Sequence, residues 1–220
     1  MAEQRDFQAR LASLRTRSVV AQAFIGLFLL VAVLVALSAA LLSWREFRSA
    51  YSTYMVVGPA MVVWLALLGI PALAAFCAWV WRAHANLHAD GREGLNFSPR
   101  WATFSTLIPV ANLVVPMQAM RELWNRSHGE ESWGARYTVG PVTSWWTCFV
   151  AGALVQGALL FVVVFDLATN IAVLTPPGVN ALIHALSALL LIAAGFLLIR
   201  IIRKITAAQH DVTYVGNTFA

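Results

Sequence analysis

The chain has 220 residues, 60% hydrophobic and only 11% charged, with a mean hydropathy of +0.73. A water-soluble domain of this size carries about twice that share of charge, so the composition excludes one. The formal charge of +5 comes from fourteen arginines and the single Lys204, and these flank apolar blocks where anionic headgroups are the simplest partner, which points away from nucleic acid.

Residues 1–18 read as a basic amphipathic cytoplasmic segment. Phe7, Leu11 and Leu14 share one helical face, with Arg5, Arg10, Arg15 and Arg17 around the remainder. Such a helix suits a membrane surface, and the same residues equally suit a tail that supplies orienting charge. Residues 19–209 read as one membrane domain. It holds four apolar windows at about 23–42, 55–80, 145–165 and 179–202, each offering the roughly 20 helical residues that cross a bilayer. Ser38, Ala39 and Ala40 are small enough for a signal peptidase, but the first apolar run exceeds the about 7 to 15 residues of a leader, so an anchor is expected. The second window contains Gly58, Pro59, Gly69 and Pro71, which predicts tilt, a kink near Pro71 or a start beyond Pro59. Cys77 and Cys148 lie inside apolar stretches and act there as small hydrophobes. Residues 210–220 form a C-terminal cytoplasmic tail.

A fifth apolar stretch, Trp101 to Met120, is long enough to cross but carries Pro109, Asn112 and Pro116. The distribution of positive charge arbitrates. With four crossings, one side collects Arg5, Arg10, Arg15 and Arg17, the six arginines from Arg82 to Arg136, and Arg200, Arg203 and Lys204. The other side keeps Arg45 and Arg48 alone. A fifth crossing erases this bias, so both ends are expected in the cytoplasm, with residues 101–120 interfacial or re-entrant. The predicted fold is therefore an all-α integral membrane protein, a four-transmembrane-helix bundle with a proline-broken interfacial or re-entrant segment between spans 2 and 3.

The distinctive residues cluster between those spans. Arg82, Asn86 and Leu87 are followed by Gly94, Leu95, Phe97, Ser98, Pro99 and Trp101; then come Ile108, Pro109, Asn112, Leu113 and Pro116, and finally Met120 to Trp124. These blocks resemble a family of bacterial multi-spanning membrane proteins catalogued as domain of unknown function 4328, over about residues 57–209. The resemblance implies a bacterial plasma-membrane location and a four-helix core, and it implies no activity. Read physically, the second helix continues past the bilayer with Arg82 and Asn86 at i, i+4 on one face, until Gly91 or Gly94 ends it. Ser98 and Pro99 are an N-cap and N1 pair opening a new helix, with Trp101 at interfacial depth. Ile108 and Val115, each preceding a proline, are predicted breaks, and Asn112 between them is placed to satisfy freed backbone groups. Residues 117–126 then read as an amphipathic surface helix.

Chemistry-bearing constellations are sparse. His84 and His88 have the i, i+4 spacing of metal ligands, with Asp90 and Glu93 nearby, but a zinc-like site needs more than one such pair, and solvated polar residues are the default reading. Gln22, Gln156, His184 and Ser187 are polar groups in or near the spans, read as hydrogen bonds between helices in preference to a proton relay. Ala153 with Gly157 and Ala181 with Ala185 repeat at the spacing that permits close helix contact. No nucleophile and base, phosphate loop or zinc motif is present, and no cofactor is expected. The leading expectation is a non-enzymatic binding or scaffold module. Its platform comprises Arg82, Asn86, Ser98, Pro99, Trp101, Pro109, Asn112, Pro116, Arg121, Glu122 and Trp124, and its partners are anionic headgroups, a membrane protein or a second copy. The alternatives are a small transporter or channel built on the broken segment, and a lipid-headgroup enzyme using Arg82, Asn86, Arg121 and Glu122.

Overall fold

The computed structural model describes residues 2–45, 50–130, 139–169 and 179–218. Among these, every regular element is helical: α1 (Ala2–Arg45), α2 (Ala50–Ala89), α3 (Pro99–Phe104), α4 (Val115–Ser127), α5 (Gly140–Thr169) and α6 (Val179–Thr218). Two single 3-10 turns, Ser105–Leu107 and Ala111–Leu113, join α3 to α4. Four helices are long and apolar enough to cross a membrane, and they coincide with the four predicted windows. The chain is a multi-pass membrane protein.

Contacts fix the order of the bundle. Arg17 reaches the Ala78 carbonyl and Phe28 lies against Gly69, so α1 and α2 are antiparallel neighbours. Gln22 meets Arg203 and Leu29 meets Gly195, which sets α6 antiparallel on the other side of α1. Gly152 against Leu191, and Gln156 against Ser187, add α5 to the far side of α6. Small residues decide two of these approaches: a Cβ on Gly195 would sit 2.5 Å from Leu29 Cδ2, and one on Gly152 would sit 2.8 Å from Leu191 Cγ. Lipid tails are as apolar as leucine, so close van der Waals packing and hydrogen bonds between helices replace the hydrophobic drive that packs a soluble bundle.

The helices outrun the membrane at one end. At 1.5 Å per residue, 44-residue α1 and 40-residue α2 and α6 measure about 60 to 66 Å against a hydrocarbon thickness of about 30 Å. The excess lies mainly where α1 begins and where α2 and α6 end, and there the core is densest. Trp79, Ala83, Leu87, Leu123, Val142, Ile201, Ile202 and Ile205 are almost wholly buried. Along the spans, Leu30, Leu67, Ile70, Leu154, Phe161, Leu189 and Phe196 face outward, where acyl chains cover them.

Three expectations need correction. The basic segment 2–18 is continuous with the first span in one helix, and its Leu11, Leu14 and Ser18 are buried, so it does not form a separate surface helix. Helix α2 starts at Ala50 and runs through both prolines, so there is no late start beyond Pro59. The second break in the motif segment falls at Val114 (φ −128°, ψ −50°), with Val115 already the first residue of α4. Proline suits the first turn of a helix, and Pro116 there opens α4 where it was expected to break it. The first break is at Ile108 as predicted, in extended geometry.

Candidate functional site

Helix α2 stops at Ala89, and Gly91 (φ 67°) and Gly94 (φ 71°) turn the chain back with the left-handed backbone that only glycine adopts freely. Ser98 then caps α3, its Oγ accepting the Trp101 N–H at 3.2 Å with Pro99 at N1, as the sequence predicts. From here the chain descends along α2. His88 Nε2 pairs with the Phe97 carbonyl at 3.0 Å, the Trp81 and Phe104 rings meet edge-on at 6.3 Å, and Cys77 Sγ lies 3.4 Å from Thr106 Oγ1. From the level of His88 to that of Cys77 is about 16 Å of helix.

The segment then returns. Its return is locked by Glu122, fully buried on α4, whose Oε2 accepts the Asn96 N–H at 2.7 Å and the Asn96 Nδ2 at 3.0 Å while Oε1 accepts the Phe97 N–H at 3.1 Å. Arg126 Nη2 donates to the Gly94 carbonyl at 3.0 Å, and the Arg92 guanidinium donates to the Arg126 carbonyl. Entry (92–97) and exit (122–126) are thus tied to each other, so the stretch 101–120 goes out and back without crossing. A buried carboxylate that accepts three N–H donors is fully used as a structural clamp.

A second network binds α2, α4 and α6. Asn86 Nδ2 donates to Gln209 Oε1 at 3.4 Å, and Gln209 Nε2 is shared between the Ser127 hydroxyl at 3.0 Å and the Ala83 carbonyl at 3.2 Å. Trp79 Nε1 donates to Thr206 Oγ1 at 3.1 Å, and Lys204 Nζ lies 5.9 Å over the Trp124 ring, within cation–π range. Buried polar groups need such partners, which explains why Asn, Gln and Ser cluster in an otherwise apolar knob.

The predicted site residues therefore fall into separate places. Glu122, Ser98 and Asn86 are engaged in structural hydrogen bonds, Pro99 and Pro116 open helices, and Pro109 lies at the turn. Trp101 is exposed at the rim with Phe104, Leu107, Val110 and Leu113. Arg82, four residues before Asn86, reaches toward α1 while Asn86 reaches toward α6. The four residues of the enzymatic alternative thus have different neighbours. Asn112 donates its backbone N–H to the Ile108 carbonyl at 2.7 Å, whereas its side chain makes no hydrogen bond among the described residues. Arg121 is half-buried, and its Nε has no partner there. His84 is completely buried against the Ala119 backbone, with neither ring nitrogen in a well-formed hydrogen bond, and His88 is exposed on Phe97, so the two are put to different uses. The Asp90 carboxyl is raised above its ordinary range by partial burial, against the pull of Arg10 and Arg92. In the third and fourth spans, the Ser187 hydroxyl lies 3.0 Å from the Gly152 carbonyl and 3.2 Å from Gln156 Oε1, a link between helices as expected. The His184 side chain lies outside the described residues.

Sequence reasoning missed Asn96, Arg92, Arg126 and Ser127. Asn96 occupies the variable position of its motif block, and the others flank it, so only the long-range pairing reveals them.

No curated protein and no solved structure matches the chain. A family model described as "Domain of unknown function (DUF4328)" matches residues 48–207, from just before α2 to within α6, and leaves α1 outside. The match spans well over half of the chain, and the protein belongs to the DUF4328 family.

Proposed function

We propose that this protein is a non-catalytic membrane module whose motif end is a binding platform on the cytoplasmic side of a bacterial plasma membrane, with both termini on that side. The positive-inside rule supports the orientation, because the basic residues of α1, of segment 82–126 and of α6 gather at one end of the bundle. One observation carries the platform reading. Within the motif the carboxylate, Asn86 and Ser98 are spent on holding the fold, while the Asn112 side chain makes no hydrogen bond among the described residues and adjoins the exposed Val110, Leu113 and Val114. Polar groups beside an apolar, exposed surface are what a recognition surface needs.

The test is the variant Asn112→Ala, compared with wild type for co-purifying proteins and lipids after solubilisation from native membranes. The platform reading expects unchanged thermal stability and the loss of at least one specific companion. An identical set of companions overturns it. A transporter reading draws on the proline-broken segment, but discontinuous helices build transport sites near the bilayer midplane. This segment turns near the level of Cys77, five residues or about 8 Å along α2 from Arg82. Proteoliposome fluxes of ions and small metabolites above those of empty vesicles would revive it.

A further inference from the structure

Between α1 and α2 lies a cleft of about 470 Å³ lined by Asp6, Ala9, Arg10 and Arg82. It occupies a different face of α2 from the motif segment: Cys77 and Trp81 look toward residues 104–106, whereas Ala78 and Arg82, about 100° around the helix, look toward α1. Arg17 marks its membrane-side edge, donating from Nη1 to the Ala78 carbonyl at 3.1 Å. Arg10 and Arg17 are two turns apart on one stripe of α1, and Arg82 lines the cleft with Arg10 and lies one turn from the Ala78 carbonyl that Arg17 holds. Three guanidinium groups therefore converge, and convergence of like charges is unfavourable unless an anion joins them. The cleft's own carboxylate, Asp6, makes no ion pair with them among the described residues, and the Arg82 Nε is buried without a partner. Asp90, within reach of Arg10, leaves an excess of positive charge.

We propose that Arg10, Arg17 and Arg82 form a binding site for the phosphate of an anionic phospholipid headgroup. Arginine forks match phosphate oxygens in geometry as well as charge. The position selects a lipid over a soluble phosphate compound: the Arg17–Ala78 contact lies one turn from Arg82 toward the apolar spans, and beyond it the exposed Val20 of α1, about 60° around the helix from Arg17, offers an acyl chain an apolar wall. A phosphodiester seated between Arg17 and Arg10 thus lies at headgroup height with its tails alongside α1. The site takes two of its three arginines from α1, outside the family match. It is independent of the platform reading, which rests on Asn112.

The experiment uses the full chain in nanodiscs of phosphatidylcholine with a minor fraction of phosphatidylglycerol, and native mass spectrometry to count retained lipids. The wild type is expected to retain phosphatidylglycerol selectively. Arg10→Gln/Arg82→Gln should weaken that retention roughly tenfold, in line with the contribution of surface arginines to anionic-lipid binding. Arg100→Gln, a charge change at an exposed position of α3 outside the cleft, should leave retention intact. Asp6→Asn, which removes the competing carboxylate, should strengthen it, so the site is tested by a gain as well as a loss. Equal losses in the double variant and in Arg100→Gln, or no change in either Arg10→Gln/Arg82→Gln or Asp6→Asn, overturn the proposal. So does saturable binding of inorganic phosphate by a wild type that shows no preference for phosphatidylglycerol.

Discussion

Glu122 is the residue on which the motif segment closes. Both oxygens of this fully buried side chain accept N–H groups in part-buried bonds, so Glu122→Gln replaces one acceptor by a donor and leaves an N–H of Asn96 or Phe97 facing another N–H. The expected cost is about 1–3 kcal/mol, the usual penalty for a buried group deprived of its partner. It should be read as a lower midpoint in thermal unfolding of the detergent-solubilised protein. An unchanged midpoint would mean that the clamp is dispensable. Residues governed by local rules were readable in advance: the Ser98 cap, the proline behind it and the turn at Gly91 each follow from the chemistry of two or three neighbours. Glu122 was visible as a motif member, but its role was not, because its partners lie 25 and 26 positions earlier and no periodicity marks that distance.

At the scale of elements, the spans were legible because a membrane imposes a length and a polarity on each helix. The extension of α2 was legible from Arg82 to the glycines that end it, but that of α6 was not, because residues such as Ile201, Ile205 and Gln209 are buried only by helices that come from elsewhere in the chain. Two predictions belong here. Gly152→Leu should drive α5 away from α6, against Leu191 Cγ and Leu190 Cβ, at a cost of about 1–3 kcal/mol for overpacking. Adding Leu191→Ala should return part of that cost, since residues in contact couple; a double-mutant cycle of unfolding free energies measures it, and strict additivity would deny the contact. The tip of the motif segment is the second case. Val110 is 81% exposed beside apolar neighbours, four residues beyond Thr106, which meets Cys77. A spin label at Val110 in liposomes should show oxygen accessibility typical of a shallow position, about 5–10 Å into the boundary, as for other interfacial apolar groups. A midplane reading would favour the transport alternative.

The whole molecule combines a loosely packed membrane part, held by small-residue contacts and the Ser187 link, with a dense polar-cored knob at one end. Segment 99–127 leaves the knob and returns to it, so that four helices cross and the charged regions share one side. The direct test is single-cysteine labelling with a membrane-impermeant maleimide in a background lacking Cys77 and Cys148, at Glu93 before the segment, Glu130 after it, and Thr169 at the opposite end of α5. The account predicts that Glu93→Cys and Glu130→Cys react from the same side, the cytoplasmic one, and that Thr169→Cys reacts only from the other. Labelling of Glu93→Cys and Glu130→Cys from opposite sides would contradict it.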